Sequence, residues 1–204
     1  MKAIIIGTGP SIDERTVAEV ERLKLKGYKL FGCNLAYTKF NLDVFHACNP
    51  EFYHYYWDRG LDAIEADKFT WDRDTALRYD IYHVSGKWAK GLSTNKGYIH
   101  YHHGSGPQLI NIALHYGAKE MLLVGWDMRY PDKVSDKEYR SKRHFFGEYP
   151  KELQHWPKTG QDGSFTGLIK EMETIIPSDY GINIYNCTKG SSLKCFEFRN
   201  LEDF

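Results

Sequence analysis

A short turn near the start of the chain carries the clearest chemical signal in the sequence. Gly7-Thr8-Gly9-Pro10-Ser11 follows the apolar run Ala3–Ile6 and precedes a segment rich in helix formers. Glycines at such a turn let backbone N–H groups approach a phosphate or a ribose, and the following helix N-terminus adds partial positive charge. The turn is neither a dinucleotide fingerprint nor a phosphate-binding loop with its lysine. The residues predicted to bind a nucleotide here are Gly7, Thr8, Gly9 and Ser11.

Two asparagines follow the next two apolar segments. Tyr28–Cys33 predicts a second strand that runs into Asn34, and Leu42–Ala47 predicts a third that runs into Cys48 and Asn49. Ligands of open α/β folds bind at the carboxyl ends of parallel strands, where both asparagines are expected. A side-chain amide suits a base edge or a ribose hydroxyl, so Asn34 and Asn49 are candidate nucleotide ligands. The alternative is that both are ordinary turn residues.

A second strand–turn–helix–strand unit follows in the middle of the chain. Tyr98–His103 predicts a strand, Leu109–Tyr116 a helix and Glu120–Val124 a buried strand. The small residues of the intervening turn again permit close approach of a ligand to the backbone. The candidate nucleotide-binding residues of this unit are Ser105, Gly106 and Asp127.

These units predict an α/β fold with a Rossmann-like, mostly parallel sheet flanked by helices. Further helices are expected over Thr16–Lys26 and Phe165–Ile176, with a last strand over Asn183–Cys187. We predict one nucleotide-binding domain over residues 1–204. Residues 130–160 are polar and aromatic without periodicity, which predicts a small irregular lid.

The composition of the chain narrows the classes of function that this protein could have. Lys+Arg and Asp+Glu both number 27, so no overall basic field recruits nucleic acid or an anionic membrane. The four cysteines form no C-x-x-C pair and no signal peptide is apparent, which favours reduced thiols and a cytoplasmic location. No apolar run reaches membrane-spanning length. Asp72-Arg73-Asp74 matches a metal-binding D-x-D, but no strand is apparent before it, so we interpret it as a solvated turn and expect no metal site.

Five segments together resemble a known family: GTGPS at 7–11, GCN at 32–34, CNP at 48–50, GSG at 104–106 and YGAKEMLLVGWD at 116–127. They are similar to bacterial sialyltransferases that use CMP-sialic acid. They are also similar to uncharacterised phage and bacterial proteins and pterin diphosphokinase-like proteins with the same Rossmann-type core. The resemblance covers most of the chain in order. It implies that the residues named above contact the nucleotide, with Asn34 and Asn49 on the cytidine and the ribose or phosphate side.

The resemblance also implies catalytic roles. In those enzymes tyrosines after the G-x-D strand end steady the leaving phosphate; here Arg129 and Tyr130 follow Asp127, and Tyr139 comes later. A lid histidine acts as general base on the acceptor hydroxyl, a task suited to a neutral imidazole. His155 is the first candidate for this base and His144 the second. His102 and His103 could instead meet a phosphate.

The expected function is therefore metal-independent transfer of a sugar from a nucleotide-sugar substrate, a CMP-sugar favoured, without a separate cofactor. A glycan is the favoured acceptor and DNA the second, and the related enzymes are commonly homo-oligomeric. One alternative is an ATP- and magnesium-dependent diphosphokinase of a small heterocycle. The other is a nucleotide-binding protein without catalysis.

Overall fold

The fold is built on a parallel sheet of eight strands. The structure, a computed structural model, describes residues 1–102, 104–129, 143–154 and 165–204. The strands in chain order are β1 (Lys2–Ile6), β2 (Lys29–Cys33), β3 (Val44–His46), β4 (Asp67–Thr70), β5 (Tyr82–His83), β6 (Ser85–Trp88), β7 (Tyr98–Tyr101), β8 (Glu120–Val124), β9 (Asn183–Asn186) and β10 (Glu197–Phe198). The main sheet has the order β10-β9-β8-β1-β2-β3-β4-β5, and β6 and β7 form a separate parallel pair.

The apolar first strand lies in the middle of this sheet. Ile4 pairs with Leu30 of β2 on one side and with Leu122 of β8 on the other. All four residues from Ala3 to Ile6 are fully buried. This explains why the run shows no polar alternation, since both of its faces are covered.

Five helices accompany the sheet in the described residues: α1 (Glu14–Leu25), α2 (Pro50–Tyr56), α3 (Arg73–Tyr79), α4 (Ser105–His115) and α5 (Thr166–Met172). Short 3-10 turns cover Asn34–Thr38, Trp57–Arg59, Lys151–Leu153, Pro177–Tyr180 and Leu201–Asp203. Asp13 starts α1 as its N-cap, because its carboxylate accepts the Thr16 N–H over 2.8 Å.

Two hydrophobic cores cover the two faces of the sheet. Ile5 and Phe31 share one core with Leu109 of α4. Ile4 and Leu30, one residue earlier on the same strands, share the other core with Leu23 of α1. Successive side chains of a strand point to opposite faces, so each central strand feeds both cores. The Rossmann-like α/β prediction is confirmed.

Several predicted elements differ in detail. A strand, β4, does precede Asp72, and Asp72 is the N-cap of α3, accepting the Thr75 N–H over 2.8 Å. The short helix α3 and the strands β4, β6 and β10 were not predicted, because each is brief and partly exposed. The strand expected over Tyr98–His103 ends at Tyr101, and the last helix is limited to Thr166–Met172.

The strand order reverses between β1 and β8. From β1 the chain proceeds outward through β2, β3, β4 and β5, and it later returns to the other side of β1 as β8. The turns after β1 and β8 therefore lie next to each other at the carboxyl edge, the usual ligand position in open α/β sheets. Over the described part of the chain, no helix has the length and apolar character that crossing a membrane requires.

Candidate functional site

The glycine turn after β1 is bound tightly to the turn after β8. The Gly7 N–H donates to the Val124 carbonyl over 2.8 Å, and the Gly9 N–H donates to the Gly125 carbonyl over 2.9 Å. Both amides are therefore occupied and do not face a phosphate, which differs from the role that the sequence suggested for them. The Thr8 N–H makes no hydrogen bond to any described residue, so it is the donor that this turn offers.

Asp127 holds the same turn in place through its side chain. Its Oδ2 accepts the Ser11 hydroxyl over 2.8 Å. A Cβ on Gly9 would lie 1.8 Å from that oxygen, so only glycine permits this packing. Burial raises the pKa of Asp127, while hydrogen bonds from Ser11 act in the opposite direction. Ser11 and Asp127 thus shape the turn, and their polar atoms are largely committed to each other.

The start of α4 joins the ends of β2 and β3. Ser105 is buried, and its Oγ accepts the Cys48 N–H over 2.9 Å and lies 3.5 Å from Asn34 Oδ1. Among the described residues this is the only hydrogen bond of the Asn34 side chain, so the Asn34 NH₂ group remains open to a ligand. Ser105 thus links Asn34, after β2, to the Cys48 turn, after β3.

The two asparagines have distinct backbone settings. Asn34 has a φ of 50°, a left-handed conformation that asparagine tolerates better than most residues. Asn49 occupies the N-cap position of α2, yet its side chain makes no capping hydrogen bond. Its Oδ1 lies 3.5 Å from Cys48 Sγ. Both half-buried amides therefore lie at the carboxyl edge with hydrogen-bonding capacity left.

Gly106 allows α4 to pack closely against the side chain of Trp126. A Cβ on Gly106 would lie 2.7 Å from Cη2 of Trp126, so glycine lets the indole lie against α4. The Trp126 Nε1–H donates to the Ile5 carbonyl over 2.9 Å, and its backbone N–H donates to Thr188 Oγ1 over 2.9 Å. This role of Trp126 was not predicted, although the tryptophan stands in the sequence directly between Gly125 and Asp127 at the end of a predicted strand.

A histidine from the chain beyond β8 lies on the glycine turn. His144 Nδ1 lies 3.1 Å from Thr8 Oγ1, and the neighbouring Phe145 N–H donates to the Thr8 carbonyl over 3.1 Å. The imidazole stacks on Phe146 with ring centroids 4.7 Å apart and an interplanar angle of 4°. His144, the second candidate for the general base, is therefore placed at the switch point between β1 and β8.

The surroundings of His144 determine its protonation. Burial, reinforced by the positive charge of Arg143, lowers its pKa to about 4, while a hydrogen bond with the Thr8 backbone acts in the opposite direction. The Thr8 hydroxyl can donate to Nδ1 or accept from it, so this contact fits either neutral tautomer of His144. In the tautomer with hydrogen on Nδ1, which Thr8 Oγ1 can accept, Nε2 carries the lone pair that a general base requires.

A polar cleft of about 540 Å³ adjoins the switch point on the α1 side of the sheet. It lies between the start of α1 and the loop after β9. Its polar lining has more carboxylates than cations and includes Ser11, Asp13, Arg15, Thr16, Glu19, Thr188, Lys189, Asn200, Glu202 and Asp203. This cleft has the hydroxyl, carboxylate and ammonium groups that suit a polyhydroxylated ligand.

The remaining candidates are placed as follows. Arg129 extends toward the loop after β9, since a Cβ on Gly190 would lie 3.2 Å from its Nη2. His102 is buried with Nε2 3.0 Å from the Gly91 carbonyl, which leaves it no access to a phosphate. Tyr130, Tyr139, His155 and His103 lie outside the described residues.

No group of three or more His, Cys, Asp or Glu side chains in the described ranges is arranged to hold a metal ion. Comparison of the chain with protein-family models, with curated proteins and with solved structures found no match. The geometry of the site is therefore the basis on which a function can be proposed for this chain.

Proposed function

We propose that this protein transfers a sugar from a nucleotide-activated donor, a CMP-sugar first among them, to a hydroxyl acceptor. The observation that carries the proposal is the contact between His144 and Thr8. It brings an imidazole to the switch point of an open α/β sheet, the usual ligand position, and in the tautomer with hydrogen on Nδ1 the basic nitrogen would be Nε2. A base beside a bound nucleotide sugar is the arrangement that deprotonation of an acceptor hydroxyl needs.

The nucleotide would be held by side chains at the ends of the central strands. The NH₂ group of Asn34 and the amide of Asn49 suit ribose hydroxyls or a base edge. The Thr8 N–H is the backbone donor that the glycine turn offers to the phosphate. Arg129, after β8, would stabilise the negative charge that develops on the departing phosphate. The resemblance adds Tyr130, Tyr139 and the alternative base His155 to this proposal.

The lowered pKa of His144 fits a base that is activated by its substrate. With a pKa of about 4, the free imidazole is neutral at physiological pH but only weakly basic. A phosphate bound beside Thr8 would raise that pKa, because a nearby negative charge favours the protonated ring. Binding of the donor would thus increase the basicity of His144 at the moment of reaction. The adjoining polar cleft would receive the donor sugar.

Side-chain donors support a metal-independent mechanism. Asp72, the first aspartate of the D-x-D, caps the N-terminus of α3 with its carboxylate. Asp127 accepts from Ser11. Arg129 and the Thr8 N–H can supply the charge and the hydrogen bond that a leaving phosphate needs. A glycan is the proposed acceptor and DNA the second choice; a homo-oligomeric state and a cytoplasmic location stay predictions.

The proposal is tested first by calorimetric titration with CMP, UMP, GMP and ATP, each with and without magnesium. We expect metal-independent binding of CMP that Asn34→Asp weakens by about tenfold or more, because an amide donor becomes an anion beside the ligand. Asn183→Asp makes the same chemical change at the opposite, amino end of β9 and should leave affinity unchanged. Binding of ATP alone, and only with magnesium, would favour the diphosphokinase. Absence of nucleotide binding would refute the proposal.

The catalytic step is tested by release of CMP from a panel of CMP-sugars. His144→Gln should lower the rate by about two orders of magnitude or more while CMP still binds. His54→Gln, a histidine on α2 paired with Tyr79, is the matched control. Wild-type CMP binding without turnover of any CMP-sugar and acceptor tested would favour the nucleotide-binding protein without catalysis.

A further inference from the structure

Three aromatic side chains form a cluster at the carboxyl ends of β4, β6 and β7. Tyr101 stands between two tryptophans: its ring centroid lies 5.7 Å from that of Trp71 and 5.8 Å from that of Trp88. The interplanar angles are 66° and 70°. We call Trp71, Trp88 and Tyr101 the aromatic corner. Trp71 is 38% exposed and Trp88 is 68% exposed, an unusual amount of indole surface for a folded domain.

The aromatic corner is held in a fixed arrangement. Gly86 makes room for Tyr101, since a Cβ there would lie 1.8 Å from the tyrosine ring. The Trp71 indole N–H donates to the Cys48 carbonyl, and His83 Nε2 lies 3.1 Å from the Trp71 carbonyl. The indole is thus oriented by the same turn that carries Asn49. Such fixed orientation is what a stacking platform needs in order to bind without a large loss of entropy.

The aromatic corner lies at the end of a row of candidate nucleotide-binding residues along the carboxyl edge of the sheet. Thr8 follows β1, Asn34 follows β2, Asn49 lies just beyond β3, and Trp71 follows β4. These strands are consecutive neighbours in the sheet. Three spacings of about 4.8 Å separate β1 from β4, or roughly 14 Å, comparable to the length of an extended nucleoside monophosphate.

We propose that the aromatic corner is the nucleobase subsite, with the base stacked on the exposed indole of Trp71. This inference rests on the proposed function and gives the orientation of the bound nucleotide sugar along the carboxyl edge of the sheet. The phosphate lies at Thr8 and His144, the ribose at Asn34 and Asn49, and the base at Trp71. The sugar then extends past β1 toward the polar cleft.

Charged residues of both signs lie close to the corner in the chain: Asp72 and Asp74 follow Trp71, and Lys87 and Lys90 lie on either side of Trp88. Affinity for the base would therefore come from stacking. Every base presents a π-face, so stacking on Trp71 contributes affinity without selecting one base. The amides of Asn34 and Asn49 would hydrogen-bond the ribose hydroxyls, so the corner and the asparagines would hold different parts of one nucleotide.

The test compares ligands with and without a base on variants of Trp71. CMP and ribose 5-phosphate are titrated into wild type, Trp71→Ala, Trp71→Phe and the control Tyr82→Ala. Tyr82 is an exposed ring on neighbouring β5 that stacks on Phe69 outside the corner. We expect Trp71→Ala to weaken CMP by about tenfold and to leave ribose 5-phosphate unchanged, whereas Trp71→Phe retains most of the affinity. Thermal unfolding of each variant verifies that it is folded.

The outcomes separate this inference from the function on which it rests. CMP affinity that is unchanged in Trp71→Ala but lost in Asn34→Asp overturns the base subsite and leaves nucleotide binding intact. Equal weakening of CMP and ribose 5-phosphate in both Trp71 variants means that the indole only supports the Cys48 turn, which also overturns it. If wild type binds neither ligand, both proposals fail. Binding of a neutral oligosaccharide that only Trp71→Ala abolishes would assign the corner to the acceptor instead.

Discussion

Ser11 Oγ donates a hydrogen bond to Asp127 Oδ2 over 2.8 Å and thereby joins the turn after β1 to the turn after β8. The two residues are far apart in the chain and meet because β1 and β8 are adjacent, parallel strands in register. The contact shapes the floor of the proposed site. It leaves Thr8, Asn34 and Asn49, rather than Gly7 and Gly9, as the groups that can turn toward a ligand.

Gly9→Ala should destabilise the protein by about 1–3 kcal/mol, the usual cost of forcing an extra methyl group into a packed region. Its Cβ would lie 1.8 Å from Asp127 Oδ2 and 2.7 Å from the Gly125 carbonyl. Gly167→Ala is the matched control, because a Cβ there meets nothing within 4 Å and α5 gains a better helix former. Urea unfolding measures both. A Gly9→Ala protein as stable as wild type would show that the turn is not packed in this way.

Asp127→Asn should reduce a pH-dependent loss of stability. Burial raises the pKa of Asp127 above its ordinary value of 3.8. As pH rises through that ordinary value, the unfolded chain ionises first, so the free energy of unfolding falls until the native carboxyl also ionises. The side-chain amide of this variant would still accept from Ser11 without this penalty. Urea unfolding across the acid range should therefore show a smaller fall in stability for the variant.

Asp72→Asn should change the pH dependence of stability in the opposite direction. Hydrogen bonds from Thr75 lower the pKa of Asp72, so its carboxylate stabilises the fold above the ordinary carboxyl pKa, and this stabilisation is lost as pH falls. Replacing Asp72 with asparagine should therefore lower the free energy of unfolding at neutral pH. If both variants change the pH profile in the same direction, the assignment of burial as the dominant effect on Asp127 is wrong.

The central part of the fold was predictable from sequence because its signals are local. The apolar runs that became β1 and β8 lack polar alternation, and the periodic segment near Val20 and Leu23 became α1. The peripheral β4 and α3 gave no such signal. Their residues are partly exposed, and a four-residue strand is too short to show periodicity, so the sequence around Asp72 resembles a solvated turn.

The candidate site was predictable only as a set of positions. Sequence reasoning placed Asn34, Ser105 and Asp127 at one edge, because parallel strands direct their carboxyl ends to the same side. It could not show that Ser105 and Asp127 bind Cys48 and Ser11 through their side chains, since these contacts join segments that are distant in the chain. The aromatic corner could not be predicted for the same reason, because its rings lie at the carboxyl ends of three strands that are separate in the chain.

Ser105→Ala should reduce stability as well as ligand affinity. The variant leaves the Cys48 N–H without its partner in a largely buried turn, which costs about 1–3 kcal/mol. Asn34→Gly removes a side chain with one long hydrogen bond and keeps a residue that accepts a φ of 50°, so it should unfold at nearly the wild-type urea concentration. Weakened CMP binding without loss of stability in Asn34→Gly would separate ligand contact from support of the turn.

The titration of His144 tests the proposed base directly. NMR of the imidazole should give a pKa of about 4 in the free protein, well below the ordinary 6.5, because burial and Arg143 disfavour the charged ring. Saturation with CMP should move this pKa upward, since a phosphate at Thr8 favours the imidazolium. We expect the nitrogen shifts to identify Nδ1 as the protonated nitrogen, with Thr8 Oγ1 as its acceptor, and Thr8→Val to weaken that preference by removing Oγ1.

The low pKa of His144 also makes the free energy of unfolding depend on pH, which can be measured independently of the NMR titration. Because the native pKa of His144 is below its unfolded value, the stabilisation is present above pH 6.5 and is lost as pH falls toward 4. The free energy of unfolding of His144→Gln should therefore change less with pH between 4 and 6.5 than that of wild type. Above pH 6.5 the two proteins should show the same pH dependence. A His144 that titrates near 6.5 in the free protein, or one whose pKa does not respond to bound CMP, would contradict a base activated by its substrate. The catalytic proposal would then depend on His155.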